Sequence, residues 1–215
     1  MDNTERLLGY IPRSAGRVLE VGPINVARCR ALKERGAAVV AVVESAEESA
    51  LAESFGGTVI QGEWQTLALS FADGYFDCIV CDDLLPRLRD PKPVLERLAG
   101  VLSPNGLMVL TVPNLQYYKT VTGLAEGHWT LAEEGVLAHS HIRFFTAYEA
   151  VRLVDAAGLE ARGCSALLVD EPAMIPLDAA GCIQSGRVSI GPLNDTEYLA
   201  FRTQEYVILA TRRGK

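Results

Sequence analysis

The chain alternates short apolar runs with segments of helical period, and that alternation leaves few folds open. The runs are "RVLEVG" (17–22), "AVVAVVE" (38–44), "GTVIQG" (57–62), "FDCIVCD" (76–82) and "GLMVLTVP" (106–113). Between them lie "NVARCRALKERGA", "SAEESALAESFG" and "PKPVLERLAGVLSPNG", each with apolar residues at helical spacing and a glycine near its end. Strands that are apolar throughout are buried on both faces, and with helical crossovers they form a parallel, doubly wound α/β sheet. Right-handed crossovers reduce the topologies to a handful. With 215 residues, 49% of them hydrophobic, one domain spanning 1–215 is expected, carrying insertions at about 114–145 and 171–195.

The rhythm breaks after Pro113 and resumes at "TAYEAVRLVDAAGLE" (146–160), where Thr146 and Glu149 have the spacing of a capping box. "LEARGCSALLV" (159–169) and "EYVILATRR" (205–213) read as two late strands that form an antiparallel edge hairpin.

A formal charge of −7 argues against a nucleic-acid partner, which requires a surplus of Lys and Arg. No apolar stretch approaches the roughly 20 residues that cross a bilayer. The N-terminal "MDNTERLLGYIPRSAG" lacks the regions of a signal peptide, so the expectation is a cytoplasmic protein with no membrane partner. Of five cysteines, Cys78 and Cys81 form a C-x-x-C, but on a strand they face opposite sides of the sheet and read as core residues. With no second such pair, and no carboxylate or Cys spaced to partner the three histidines, no metal is expected.

Ligands of doubly wound sheets sit at the carboxyl ends of the strands, near the point where strand order reverses. Glu20 and Gly22 lie at the end of the first strand. Glu44 ends the second, at about the distance where an acidic side chain accepts from ribose hydroxyls. The third strand ends in "QGEW", which puts Glu63 and Trp64 where an adenine edge and face would lie.

Two segments, "FADGYFDCIVCDDLLPRLRDPKPVLERLAGVLSPNGLMVLTVPN" (71–114) and "GHWTLAEEGVLAHSHIRFFTAYEAVRLVDAAGLE" (127–160), resemble the class I S-adenosylmethionine-dependent methyltransferases. The likeness is to the small bacterial subgroup linked to sugar, glycan and natural-product pathways, and it extends over about 16–168. It implies a Rossmann-like sheet of order 3-2-1-4-5-7-6 with an antiparallel last strand, and S-adenosylmethionine as cofactor. By the same resemblance Glu20 sits near the methionine amino group, Gly22 admits the cofactor, Glu44 takes the ribose and Glu63 the adenine amine. Asp82 and Asp83 then lie beside the sulfonium. Each has a plain structural alternative, such as a helix N-terminal partner for Glu44 or a cover over the sheet edge for Trp64.

Three features depart from that pattern. Where relatives carry E-x-G-x-G-x-G, this chain has Glu20-Val21-Gly22-Pro23-Ile24-Asn25-Val26, so Ile24 and Val26 replace two glycines whose missing Cβ serves backbone conformation or ligand approach. Pro86-Arg87 stands in place of a common Glu-His pair, and Ala138 in place of an acidic residue. Asn25 still has the chemistry to cap the following helix.

In methyl transfer the protein mainly aligns the acceptor and removes its proton. His141 is the candidate base and Arg143 the candidate holder of an anionic acceptor, with a structural alternative in which both tie a lid to the sheet. His128 and His139 are weaker candidates. Tyr117, Tyr118 and Trp129 line the acceptor pocket or form the core of a small cap. Three readings follow: a methyltransferase acting on O or N of a small sugar-like or natural-product acceptor; a non-catalytic binding or scaffolding member that has lost the cofactor; and an enzyme that uses the pocket differently. A homodimer is compatible with each.

Overall fold

The computed structural model describes residues 3–214 with the exception of Leu67. A helix, α1 (Asn3–Leu8), precedes the repeating units β1 (Arg17–Val21), α2 (Val26–Glu34), β2 (Ala38–Val43), α3 (Ala46–Glu53) and β3 (Thr58–Gln61). Then follow β4 (Phe76–Cys81), a 3-10 turn at Leu85–Arg87, α4 (Pro91–Val101), β5 (Leu102–Pro113), α5 (Tyr118–Ala125), α6 (Ala147–Ala156) and β6 (Leu159–Val169). The C-terminal part holds a small hairpin, β7 (Ile183–Ser185) and β8 (Val188–Ile190), then α7 (Asp195–Arg202) and β9 (Thr203–Arg212).

Seven strands form one sheet in the order β3-β2-β1-β4-β5-β9-β6. β1 to β5 are parallel, whereas β9 runs antiparallel to both β5 and β6. Counting only strands of this sheet, that is 3-2-1-4-5-7-6 with the antiparallel strand inserted last, as the resemblance implies. The strand order reverses between β1 and β4, whose register pairs Glu20 with Val80 and Val21 with Cys81.

Alternation divides each strand between two cores. Leu19, Val21, Val40, Val42, Ile79 and Cys81 pack under α4 and α6, while Val18, Val39, Ala41, Cys78 and Val80 pack under α1 and α2. Cys78 and Cys81 therefore lie on opposite faces, each at 0% exposure. Burial pushes both thiols well above the ordinary range and holds them neutral.

Asn25 caps α2, its side chain accepting from the Arg28 amide at 2.9 Å. Full capping boxes start α3 (Ser45 with Glu48) and α7 (Asn194 with Glu197). At α6 Thr146 accepts from the Glu149 amide, but the Glu149 carboxylate pairs with Arg152 at 3.6 Å on the same helix, so the expected box is half made. The two insertions pack on each other: Tyr117 and Tyr118 form a third apolar cluster with Ile175 and Ile183. Among the described residues no helix is long and apolar enough to cross a membrane.

Gly22 is required by the sheet itself. Its φ is +127°, and a Cβ there would lie 2.5 Å from the Asp82 carbonyl oxygen. Gly22→Ala is expected to destabilise the fold by about 1–3 kcal/mol or more. Denaturant unfolding checks this, with no change as the contrary result.

Candidate active site

Three strand ends build the site. Glu20, on β1, lies on the same face as Val18 and so points under α2, where a carboxylate needs a cation. Arg28, in the first turn of α2, supplies it. Its Nε donates to both Glu20 oxygens at 2.9 and 3.2 Å, Nη2 donates to Oε2 at 2.8 Å, and Nη1 donates to Asp82 Oδ2 at 2.6 Å. Arg28 is 1% exposed and Glu20 5%. Burial alone would lower the guanidinium pKa, but the charges and hydrogen bonds of Glu20 and Asp82 outweigh it and keep the group protonated. The same burial, with the Glu20 charge, pushes the Cys29 thiol up to about 12.

Asp82 and Asp83 follow β4, and the backbone sends them in different directions. Asp83 has φ +49°, the one positive value among described non-glycine residues. Asp82 turns inward to Arg28 and accepts from Thr111 Oγ1 at 2.7 Å, while the Asp83 amide donates to the same Thr111 oxygen. Asp83 Oδ2 accepts from Arg87 Nη2 at 2.7 Å and lies 3.0 Å from His141 Nε2. Its Oδ1 is buried without a hydrogen-bond partner among the described residues.

His141 is 6% exposed, and its Nδ1 lies 3.1 Å from the Val136 carbonyl oxygen, which makes Nδ1 the donor and leaves Nε2 facing the carboxylate. Burial works against the imidazolium. The Asp83 hydrogen bond and charge act the other way, helped by Val136 and opposed by Arg87, and the net effect raises the His141 pKa above its ordinary value. The segment is fixed by the amides of Ile142 and Arg143, which donate to the Pro86 carbonyl at 2.8 and 3.0 Å.

A pocket of about 440 Å³ opens beside these groups, with Asp82, Asp83, His141, Pro113, Glu134 and Glu205 in its lining. Other expected residues fall elsewhere. Arg143 lines a separate groove with Phe144 and Arg152, and its guanidinium donates to the Arg89 carbonyl. Tyr117 and Tyr118 are buried in the cap, the Tyr117 hydroxyl donating to Asp170 at 2.5 Å, and Trp129 stacks edge-on against Phe144. His128 is exposed, and His139 lies 3.8 Å from Glu133.

At the second and third strands Glu44 and Glu63 are both exposed. Glu44 accepts from the Trp64 amide at 2.8 Å, and Glu63 from Thr66 Oγ1 at 2.9 Å. Trp64 is a core residue, 6% exposed, with its indole N–H donating to the Val42 carbonyl at 3.1 Å. Ile24 and Val26 are half-buried against the α1–α2 core, and neither adopts a positive φ. The residue in the strand-end carboxylate pair is Arg28, which the glycine pattern alone does not flag.

A family model for a methyltransferase domain matches residues 1–162. The chain belongs to that methyltransferase family. A ubiquinone biosynthesis O-methyltransferase of Idiomarina loihiensis is 29% identical over 150 residues, covering 67% of this chain and 61% of that protein, so the likeness spans less than two thirds of the relative's length. Among solved structures, an S-adenosylmethionine-dependent methyltransferase from Archaeoglobus fulgidus superposes with a TM-score of 0.70 at 15% identity, covering 97% of this chain and 92% of the other. One from Mesorhizobium loti gives 0.64 at 18% identity, covering 97% and 96%. A Burkholderia thailandensis 1,6-didemethyltoxoflavin-N1-methyltransferase with bound S-adenosylhomocysteine gives 0.57 at 18%, covering 99% and 77%. These structures share the S-adenosylmethionine-dependent methyltransferase fold with this chain.

Set against that cofactor, the donor set divides. The exposed carboxylates Glu44 and Glu63 suit a ribose and an adenine amine at adjacent strand ends. The Glu20–Asp82 pair does not fit an ammonium group, because the Arg28 guanidinium already occupies the position between the two carboxylates and donates to both.

Replacing Asp83 by Asn removes the charge that raises the His141 pKa. NMR titration of the His141 ring is expected to show its midpoint shifted downward. An unchanged midpoint would exclude Asp83 as the cause.

Proposed function

We propose that this chain is an S-adenosylmethionine-dependent methyltransferase acting on an oxygen or nitrogen of a small sugar-like or natural-product acceptor. The supporting observation is the His141–Asp83 pair in the wall of the 440 Å³ pocket at the carboxyl ends of β4 and β5. With Nδ1 held as a donor by Val136, Nε2 is the basic atom. Displacement of the Asp83 contact by an acceptor O–H or N–H would let Nε2 take the proton, and Asp83 would stabilise the imidazolium formed. The lining carboxylates Asp82, Asp83, Glu134 and Glu205 favour an acceptor rich in hydroxyls or carrying an amine over an anionic one. Part of the seat expected for the cofactor is filled by the Arg28 guanidinium.

A second reading rests on that filling. Arg28, buried between Glu20 and Asp82, is what a cofactor-free binding or scaffolding member of the family would carry.

Calorimetric titration with S-adenosylmethionine and S-adenosylhomocysteine separates the two readings. Saturable heat supports the methyltransferase, whereas no heat and no thermal shift at millimolar ligand sinks it and leaves the second reading. If turnover of an acceptor is found, His141→Ala should lower kcat about 10²–10⁴-fold. Because the neutral ring is the base and the His141 pKa is raised, kcat/KM should fall as the pH is lowered, with the midpoint of that acid limb above the ordinary imidazole value of about 6.5. Asp83→Asn should move that limb to lower pH. A limb that stays in place would reduce His141 to a lid residue.

A further inference from the structure

We infer that Arg28 is a built-in competitor for the cofactor's α-ammonium group, so that the residue at position 28 sets how tightly this chain takes S-adenosylmethionine or S-adenosylhomocysteine. The inference rests on the seat near Glu20 that the methyltransferase reading assigns to that ammonium. Both Glu20 oxygens and Asp82 Oδ2 are engaged by one guanidinium, and Thr111 holds the remaining Asp82 oxygen. The triad keeps a net negative charge, but each of its four carboxylate oxygens already accepts from Arg28 or Thr111, so a second cation finds the place taken. It enters only if the guanidinium leaves a position that is 1% exposed and held on two sides.

Removing the Arg28 charge reverses the situation. Glu20 and Asp82 are then two carboxylates facing a space the size of a guanidinium, an arrangement that attracts a cation of similar size. The space borders the cleft, because Asp82 is itself part of the pocket lining and its side chain is 18% exposed. Ile24 and Val26, half-buried against the α1–α2 core, are not members of the triad. Position 28 is therefore the one whose side chain holds the place between Glu20 and Asp82 that the incoming ammonium would take.

The experiment is calorimetric titration of S-adenosylhomocysteine and S-adenosylmethionine into the natural chain, Arg28→Met and Arg28→Met/Glu20→Gln, with circular dichroism to confirm folding. Arg28→Met is expected to bind at least tenfold more tightly than the natural chain, including the case in which only the variant gives heat. Adding Glu20→Gln should abolish the gain. Equal or weaker binding by Arg28→Met, a gain that survives Glu20→Gln, or binding by neither protein overturns the inference. Should Arg28→Met fail to fold, Arg28→Gln removes the charge but keeps a donor for Glu20, and the same tenfold threshold applies. The outcomes distinguish this inference from the reading beneath it. Binding by the variant alone supports competition and removes the methyltransferase reading for the natural chain, whereas methyl transfer by the natural chain with no gain on substitution does the reverse.

Discussion

Arg28, Glu20 and Asp82 form a buried ion triad, and the site is arranged around it. Charges removed from water are costly unless each is paired and hydrogen-bonded. Here one guanidinium meets two carboxylates from neighbouring strands with short contacts. The triad pins the first turn of α2 to the ends of β1 and β4, the pair between which strand order reverses. An arginine in the first turn of a helix also opposes the helix dipole, an unfavourable contribution of about 1 kcal/mol that the two carboxylates offset.

β4 then separates two tasks with consecutive aspartates. Asp82 stays with the triad, its carboxylate held by Arg28 and Thr111. The left-handed conformation at Asp83, a strained geometry of the kind concentrated at functional sites, aims its carboxylate at His141 and Arg87 instead. Thr111 on β5 binds both residues, through the Asp82 side chain and the Asp83 amide. Structural and chemical halves of the site thus share one strand end, with Asp82 engaged by Arg28 and Thr111 and Asp83 left to act on His141.

Much of the fold was legible in the sequence because it depends on patterns of period two and 3.6. "LEARGCSALLV" is β6 to the residue, and the faces of Cys78 and Cys81 follow from strand alternation. The strand at 106–113 begins earlier, at Leu102, where β5 first pairs with Phe76 before an irregularity in register. The site was less legible because hydrogen-bond partners come from distant segments. Arg143 lies two residues from His141 but lines a different groove. Trp64 ends in the core because its indole N–H finds the Val42 carbonyl. A signal for Arg28 did exist: Glu20 shares a face with Val18, the face is covered by α2, and Arg28 is in the first turn of that helix. The altered glycine positions carry none of that signal, since Ile24 and Val26 pack against the α1–α2 core.

The most direct measurement of the central interaction is the NMR signal of the Arg28 Nε–H group, assigned by its loss in Arg28→Gln. A guanidinium held between Glu20 and Asp82 should give a sharp resonance, protected from solvent exchange from about pH 5 to 8, unlike the freely exchanging signals of exposed arginines. An Arg28 signal that exchanges as fast as those of exposed arginines would contradict the triad, and with it the competition inferred for the cofactor seat.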